Sequence, residues 1–211
     1  MPTPPIPESL EGRVELLERK TVFQGYFRID RLTIRHKRFD GTWSETVKRE
    51  LFERGHAAAV LLYDPVLDKV GLTEQFRPGA LSAGWYPWLI EIVAGIIDAG
   101  ESAEQTAVRE AREEAGVEIG ELIKITDVLA TPGGSSETVS LFCARVDAAQ
   151  LGGIHGVALE SEDIRVFAVP ADEAIAWTEN GRINNAISMI AIQWLALHRA
   201  ELRKRWNVTG K

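Results

Sequence analysis

GIIDAGESAEQTAVREAREEAGV, residues 95–117, holds the strongest local pattern in the chain. Ser102, with Gln105 three residues on, has the form of a capping box and predicts a helix from Ala103. The residues that follow are mostly strong helix formers, and Gly116 supplies a stop. On that helix Glu110 and Glu114 stand four apart, Glu113 lies three from Glu110, and Arg109 faces Glu113 at i, i+4, so these groups crowd about one turn. Like charges ~4 Å apart repel by about 4 kcal/mol at an effective dielectric of ~20, more than surface helix pairs return. Two readings follow: a solvated acidic face, or a site that holds something positive. Gly95 before the loop, Gly100-Glu101 at the turn and Arg109 beside the carboxylates favour the second.

Gly95, five residues, Glu101, seven residues, then Arg109-Glu110, Ala111, Arg112, Glu113-Glu114, Ala115, Gly116, Val117 resembles the complete Nudix box, with every charged and glycine position filled. The departure is Ala111, where a larger aliphatic is common; it bears on helix packing and not on chemistry. The likeness extends to EQFR at 74–77, TPGGSSE at 131–137, ESEDIRV at 160–166, RELFERGH at 49–56 and the helix from Asn184, segments similar to those of the ADP-ribose pyrophosphatase branch of Nudix hydrolases. Pro132, fifteen residues beyond Val117, matches that branch too, although a proline in a Gly-rich turn is also what a plain loop contains.

The resemblance implies an α+β Nudix fold, a mixed β-sheet sandwiched between helices. It also implies hydrolysis of the diphosphate bond of ADP-ribose to AMP and ribose 5-phosphate by a Mg²⁺-dependent enzyme, with Mn²⁺ as the alternative metal. Glu110 and Glu114, with the backbone carbonyl of Ala94, are the implied metal ligands. Glu113 would share a bridging ion or orient a water, and Arg109 would hold a carboxylate in place. The base is expected on the 160–166 loop, which points to Glu160 with Glu162 as its metal-proximal neighbour. Arg77 is implied for a phosphate oxygen, Arg49 with Tyr26 for the adenosine end, Glu137 for a sugar hydroxyl or the adenine amine, and Pro132 and Gly133 for the substrate loop. In a homodimer with exchanged N-terminal strands, both subunits would form the adenosine site. The rival readings are a hydrolase of another nucleotide sugar, GDP-mannose or ADP-glucose, and a sensor that binds ADP-ribose without cleaving it.

The remaining composition bounds this picture. With 211 residues the chain suits one substantial domain plus an accessory piece. A net charge of −7 gives no support to a nucleic-acid partner. Cys143 is the single cysteine, which excludes an internal disulfide and fits a reducing, cytoplasmic setting; its strand-like surroundings, SLFCARV, predict a buried, inert thiol. No apolar run approaches the ~20 residues of a membrane span, and the N-terminus lacks a signal-peptide plan.

Two regions are expected, an N-terminal sheet over residues 1–53 and a catalytic domain over 54–211. Residues 1–7 carry four prolines and read as a mobile tail. Strand-like pieces at 14–17, 21–27, 31–36 and 43–52 follow, with Asp40-Gly41 as a hairpin signal. Such a sheet buries little apolar surface by itself and should associate with the main domain or a second subunit. From Ala57 the runs AAAVLLY and KVGLTEQF read as central strands covered on both faces, and PGALSAGWYP as a loop. Strands are predicted at 88–93, 122–129, 139–146 and 164–169, with a long segment of little periodicity over 147–162. Helices are predicted over 171–178 and from Asn184 or Asn185, the latter burying Ile187, Ile190, Ala191, Trp194 and Leu197.

Overall fold

The structure, a computed structural model, describes residues 10–157 and 161–206. The proline-rich segment 1–7 and Glu160 therefore lie outside the described residues. The chain divides into two compact units, one of Met1–Gly55 with Thr131–Glu137, the other of His56–Ala130 with Thr138–Lys211.

In the first unit β1 (Val14–Gln24), β2 (Arg28–His36) and β3 (Val47–Glu53) form an antiparallel sheet in that order. The piece expected at 14–17 and residues 21–24 of the one expected at 21–27 are one strand, because irregularities at Leu16/Glu18 and Thr21/Phe23 absorb the breaks in alternation without ending the pairing, while residues 25–27 form the turn to β2. The Asp40-Gly41 turn forms, with Gly41 at φ 83° and Lys37 bridged to Trp43. The loop 131–137 joins this unit: Phe52 N–H donates to the Gly134 carbonyl (2.7 Å), and Ser136 donates to Glu53 (2.7 Å).

The second unit is built on β4 (Ala57–Asp64) and β5 (Lys69–Phe76). Strands β6 (Trp88–Glu91), β7 (Val93–Ile96), β8 (Leu122–Leu129), β9 (Thr138–Arg145), β10 (Gly153–His155) and β11 (Ile164–Pro170) complete a mixed sheet of order β10-β11-β5-β4-β9-β8. Only β4 and β9 run parallel among these pairings. β4 and β5 pair with each other only at Leu62–Asp64 against Lys69–Gly71; where they part, β6 continues along β5 and β7 along β4. The single run 88–96 thus fills the gap between two splayed strands and carries the chain to the box. Ile92, at the switch, has its N–H satisfied by Ser188 Oγ (3.0 Å).

Side chains alternate along β4 between two apolar layers. One layer packs under α2 (Ala103–Ala115); the other packs under α3 (Ala171–Glu179) and α4 (Ala186–Arg205), so the sheet is sandwiched between helices. Ala111 is wholly buried in the first layer, as are Ala107 and Ala115 to within a trace, and these small side chains let α2 lie close to the sheet. The fold is the α+β arrangement implied by the box.

Three details differ from the sequence reading. Residues Pro78–Ser82 form a short helix, α1, inside the expected loop, since Pro78 is well placed in a first helical turn. The 147–162 segment contains a 3₁₀ turn over Ala148–Gln150 and the strand β10, paired with β11. On α4 the buried set is Ser188, Ala191, Ile192, Leu195 and Leu202, whereas Leu197 is 82% exposed. The rotation is set by polar tethers: Asn185 caps the helix and donates Nδ2–H to the Ile90 carbonyl (2.9 Å), and Ser188 holds Ile92. Ile187, Ile190 and Trp194 still pack partly against the core, and Trp194 stacks on His198 at 4.6 Å. Cys143 is fully buried, and burial pushes its thiol up to about 12, so it is inert as expected.

Candidate active site

The capping box on α2 is complete, with reciprocal bonds between Ser102 and Gln105, and Gly116 ends the helix at φ 65°, a left-handed cap. Between these ends the helix buries Thr106 and, along one stripe, Ala107, Glu110, Ala111, Glu114 and Ala115, spaced i, i+3, i+4, i+7 and i+8. Two of the five positions that should carry apolar side chains are therefore carboxylates. Burying ionised carboxylates costs free energy unless they are paired or hold a cation.

Arg109 supplies part of the compensation. Its guanidinium donates to Glu101 (3.1 and 3.0 Å), Glu110 (2.7 Å), Glu113 (3.0 Å) and the Ile96 carbonyl (3.1 Å). Thr106 Oγ1 adds a bond to Glu101 (2.8 Å). The Arg109 bonds, against some burial and with help from Thr106, hold the Glu101 carboxyl down at about 2, and the same contacts raise Arg109 further above its ordinary range.

Glu114 is left with less. It is 3% exposed, and the one hydrogen bond to its carboxylate among the described residues is the Ala94 N–H at 3.1 Å. Burial first, then the charges of Glu110 and Glu162, drive its carboxyl up to about 8, against the lowering pull of the Ala94 N–H and Arg77. Glu110 is also raised, chiefly by burial and less by Glu113 and Glu162, with Arg109 opposing. Because a residue in a strand carries its N–H and C=O on one side, the Ala94 carbonyl leaves β7 on the same edge that meets Glu114. Gly95 is required here: a Cβ would stand 1.6 Å from Glu110 Oε1 and expel the carboxylate from beneath the strand.

A divalent cation fits this chemistry. Among the described residues no three acidic, His or Cys side chains gather closely enough to hold one alone. Mg²⁺ is commonly held by only one or two carboxylates, with waters and substrate phosphate oxygens completing its shell, and Glu110, Glu114 and the Ala94 carbonyl are hard oxygen donors of that kind.

The other predicted residues fall in three places. Arg77 follows β5 and is held by Glu91 (2.7 Å), near enough for its charge to act on Glu114; Glu91 escaped the sequence reading because a lone strand acid carries no pattern. Glu162 approaches Glu110 and Glu114 and closes its own loop by accepting from Val157 N–H (2.9 Å). In the N-terminal unit Tyr26 is 88% exposed at the β1–β2 turn, edge-on to Phe27 (4.8 Å); Arg49 is exposed on β3; Pro132 and Gly133 are exposed in the 131–137 turn. Glu137 pairs with Arg54 (3.3 Å), which lies over Phe27.

The sequence profile of the NUDIX domain matches residues 53–208, and the chain belongs to the Nudix family. It is 48% identical over 193 residues to the ADP-ribose pyrophosphatase of Escherichia coli K12, covering 92% of each chain. The Haemophilus influenzae protein of the same name is 42% identical over 197 residues, with 92% and 91% covered. The GDP-mannose pyrophosphatase of Pectobacterium atrosepticum is 33% identical over 185 residues, with 87% and 94% covered.

Proposed function

We propose that this chain hydrolyses the diphosphate bond of ADP-ribose to AMP and ribose 5-phosphate with Mg²⁺, or Mn²⁺ in its place. The observation that carries the reading is the pair of buried carboxylates on the Nudix helix, one of them raised to about 8, lodged against the strand edge that Gly95 leaves open. The choice of ADP-ribose follows the 48% likeness to a named ADP-ribose pyrophosphatase over nearly the whole chain, against 33% to a GDP-mannose pyrophosphatase. The sensor reading is disfavoured because Glu110, Glu113 and Glu114 are all retained.

Glu110, Glu114 and the Ala94 carbonyl would hold a divalent cation, with Glu113 and Glu162 alongside, and the chemistry it would supply there is charge against the diphosphate and a more acidic water. Arg109 keeps Glu110 and Glu113 in position while Glu101 fixes Arg109. Glu160 takes the proton from the attacking water. Arg77, oriented by Glu91, binds a phosphate oxygen, and Arg49, Tyr26, Glu137, Pro132 and Gly133 form the adenosine and sugar site.

The same reading includes a homodimer in which both subunits contribute to the adenosine site. The exposed apolar side chains Val22, Phe23 and Tyr26 in one unit, and Phe76, Leu81, Trp85, Tyr86 and Trp88 in the other, support association, since monomers seldom leave such groups together in water. A cytoplasmic setting fits the single buried thiol. Among the described residues no helix is long and apolar enough to cross a membrane.

Product analysis tests the reading: purified protein with ADP-ribose, in Mg²⁺ and in chelator, should give AMP and ribose 5-phosphate only with the metal. Parallel rates on ADP-glucose and GDP-mannose should be lower. Saturable binding of ADP-ribose without cleavage would establish the sensor instead.

A further inference from the structure

Beside Arg77 stands a buried polar side chain with no task so far. Gln75 is 7% exposed, and its Nε2 has no hydrogen-bond partner among the described residues. Side chains alternate along a strand, so Gly71, Thr73 and Gln75 share one face of β5, and Arg77 follows in the same sense. That face is on the side of the sheet that carries the α2 layer. A Cβ on Gly71 would meet Leu62 and Leu151, and both belong to the α2 layer. Across the β5–β6 pairing Leu89 stands opposite Gln75 and Glu91 opposite Thr73, so the carboxylate that holds Arg77 lies on this face as well.

A buried N–H without a partner is disfavoured, and such groups are rare enough to need a reason. Leucine or methionine would fill the same space without that penalty. The neighbours of the amide make one ligand chemistry fit: Arg77, two residues along, acts electrostatically on Glu114. A diphosphate presents only acceptor oxygens, and a neutral amide can donate to them without adding charge to a crowded set of carboxylates.

We propose that Gln75 is a substrate-contacting residue whose Nε2–H donates to a non-bridging oxygen of the nucleotide-sugar diphosphate, deeper on the same face than Arg77. The inference rests on the proposed diphosphate hydrolysis. The orphaned donor is then a binding group awaiting its acceptor, and its unpaired state in the free protein is the cost of that readiness.

The test pairs kinetics with stability in Gln75→Met, which keeps side-chain length and removes the donor, and Gln75→Glu, which replaces it with an acceptor. The result expected for Gln75→Met is a fall in kcat/KM on ADP-ribose of about tenfold or more, the scale of a hydrogen bond to a charged group, with Tm of the ligand-free protein equal to or above wild type. Gln75→Glu should fall further. If Gln75→Met stays within about twofold of wild type, or loses Tm by several degrees in step with its activity, the amide is a packing group and the inference is overturned. Wild-type protein is assayed alongside on ADP-ribose, ADP-glucose and GDP-mannose: cleavage of none of them overturns the underlying function as well, whereas an active wild type with an unaffected Gln75→Met overturns only the role of Gln75.

Discussion

Asp30 in the three-stranded sheet and Glu114 on α2 are both nearly inaccessible carboxylates, 1% and 3% exposed, and their surroundings treat them oppositely. Asp30 accepts from Arg19 (2.7 Å) and Thr21 (2.8 Å) and pairs with Arg28 (3.1 Å). Burial alone would raise its pKa, but those bonds and charges outweigh it and leave the group below the ordinary carboxylate range. Glu114 receives one backbone N–H and faces further carboxylates, so burial prevails. A buried acid supplied with cations is architecture; one left short of them is poised for a ligand.

The two units differ in the same way as a whole. Along β4 every residue is buried, whereas on β1, β2 and β3 Asp30 is the only buried one. The larger unit is held by apolar area on two faces of a sheet, the smaller by an ion network around Asp30 that also includes Glu53. A sheet organised in this way gains little from hydrophobic burial, which is why it is the part expected to associate.

Neutralising each carboxylate separates the two roles. Glu110→Gln and Glu114→Gln should each lower kcat by about 10³-fold or more while the protein stays folded, because each removes a charged ligand; full Mg²⁺-dependent turnover in either would sink the assignment. Gly95→Ala should cost about 10²-fold for want of room beside Glu110, seen as lost activity with an unchanged far-UV spectrum. Asp30→Ala takes Arg28's carboxylate away and leaves Arg19 with Glu53 alone, and should destabilise the N-terminal unit by about 3–5 kcal/mol. Hydrogen exchange would then speed up across β1–β3 and stay slow in β4. Ala111→Leu should be the mildest, about 1–3 kcal/mol from overpacking of a fully buried site, read as a lower Tm.

The pH dependences should run in opposite directions. The folded pKa of Asp30 is lowered, so its contribution to stability is present above the unfolded value near 3.8 and is lost as pH falls through the folded one. The folded pKa of Glu114 is raised from 4.5 to about 8, so its contribution in metal-free protein is present below 4.5 and is lost as pH rises through about 8. Over pH 5 to 8 the Tm of metal-free wild type should therefore decline, and Glu114→Gln should flatten the decline and be the more stable protein at pH 8. An unchanged slope in that variant would show that Glu114 is not the group responsible.

Local chemistry was the part of the molecule legible in the sequence. The capping box, Gly116 and the Arg109 to Glu113 pair are set within one helix, so spacing alone predicts them. β4 and β5 declare themselves by unbroken apolar runs. What failed depends on contacts between distant segments. The rotation of α4 follows from Asn185 and Ser188 reaching the 88–96 run, bonds that span more than ninety residues and leave no periodic trace. β1 reads as two pieces because its bulges disturb alternation. Glu91 and Gln75 were missed because a single polar residue in a strand gains meaning only once its face and its cross-strand neighbour are known.

Glu114 would be held protonated until a cation arrives, and calorimetric titration of Mg²⁺ into metal-free protein at pH 7, in buffers of different ionisation enthalpy, would detect the proton it then loses. With a carboxyl raised to about 8, binding should release close to one proton in wild type and markedly fewer in Glu114→Gln. Binding with no proton release in wild type, or with the same release in the variant, would mean that Glu114 is not a protonated group that the cation displaces.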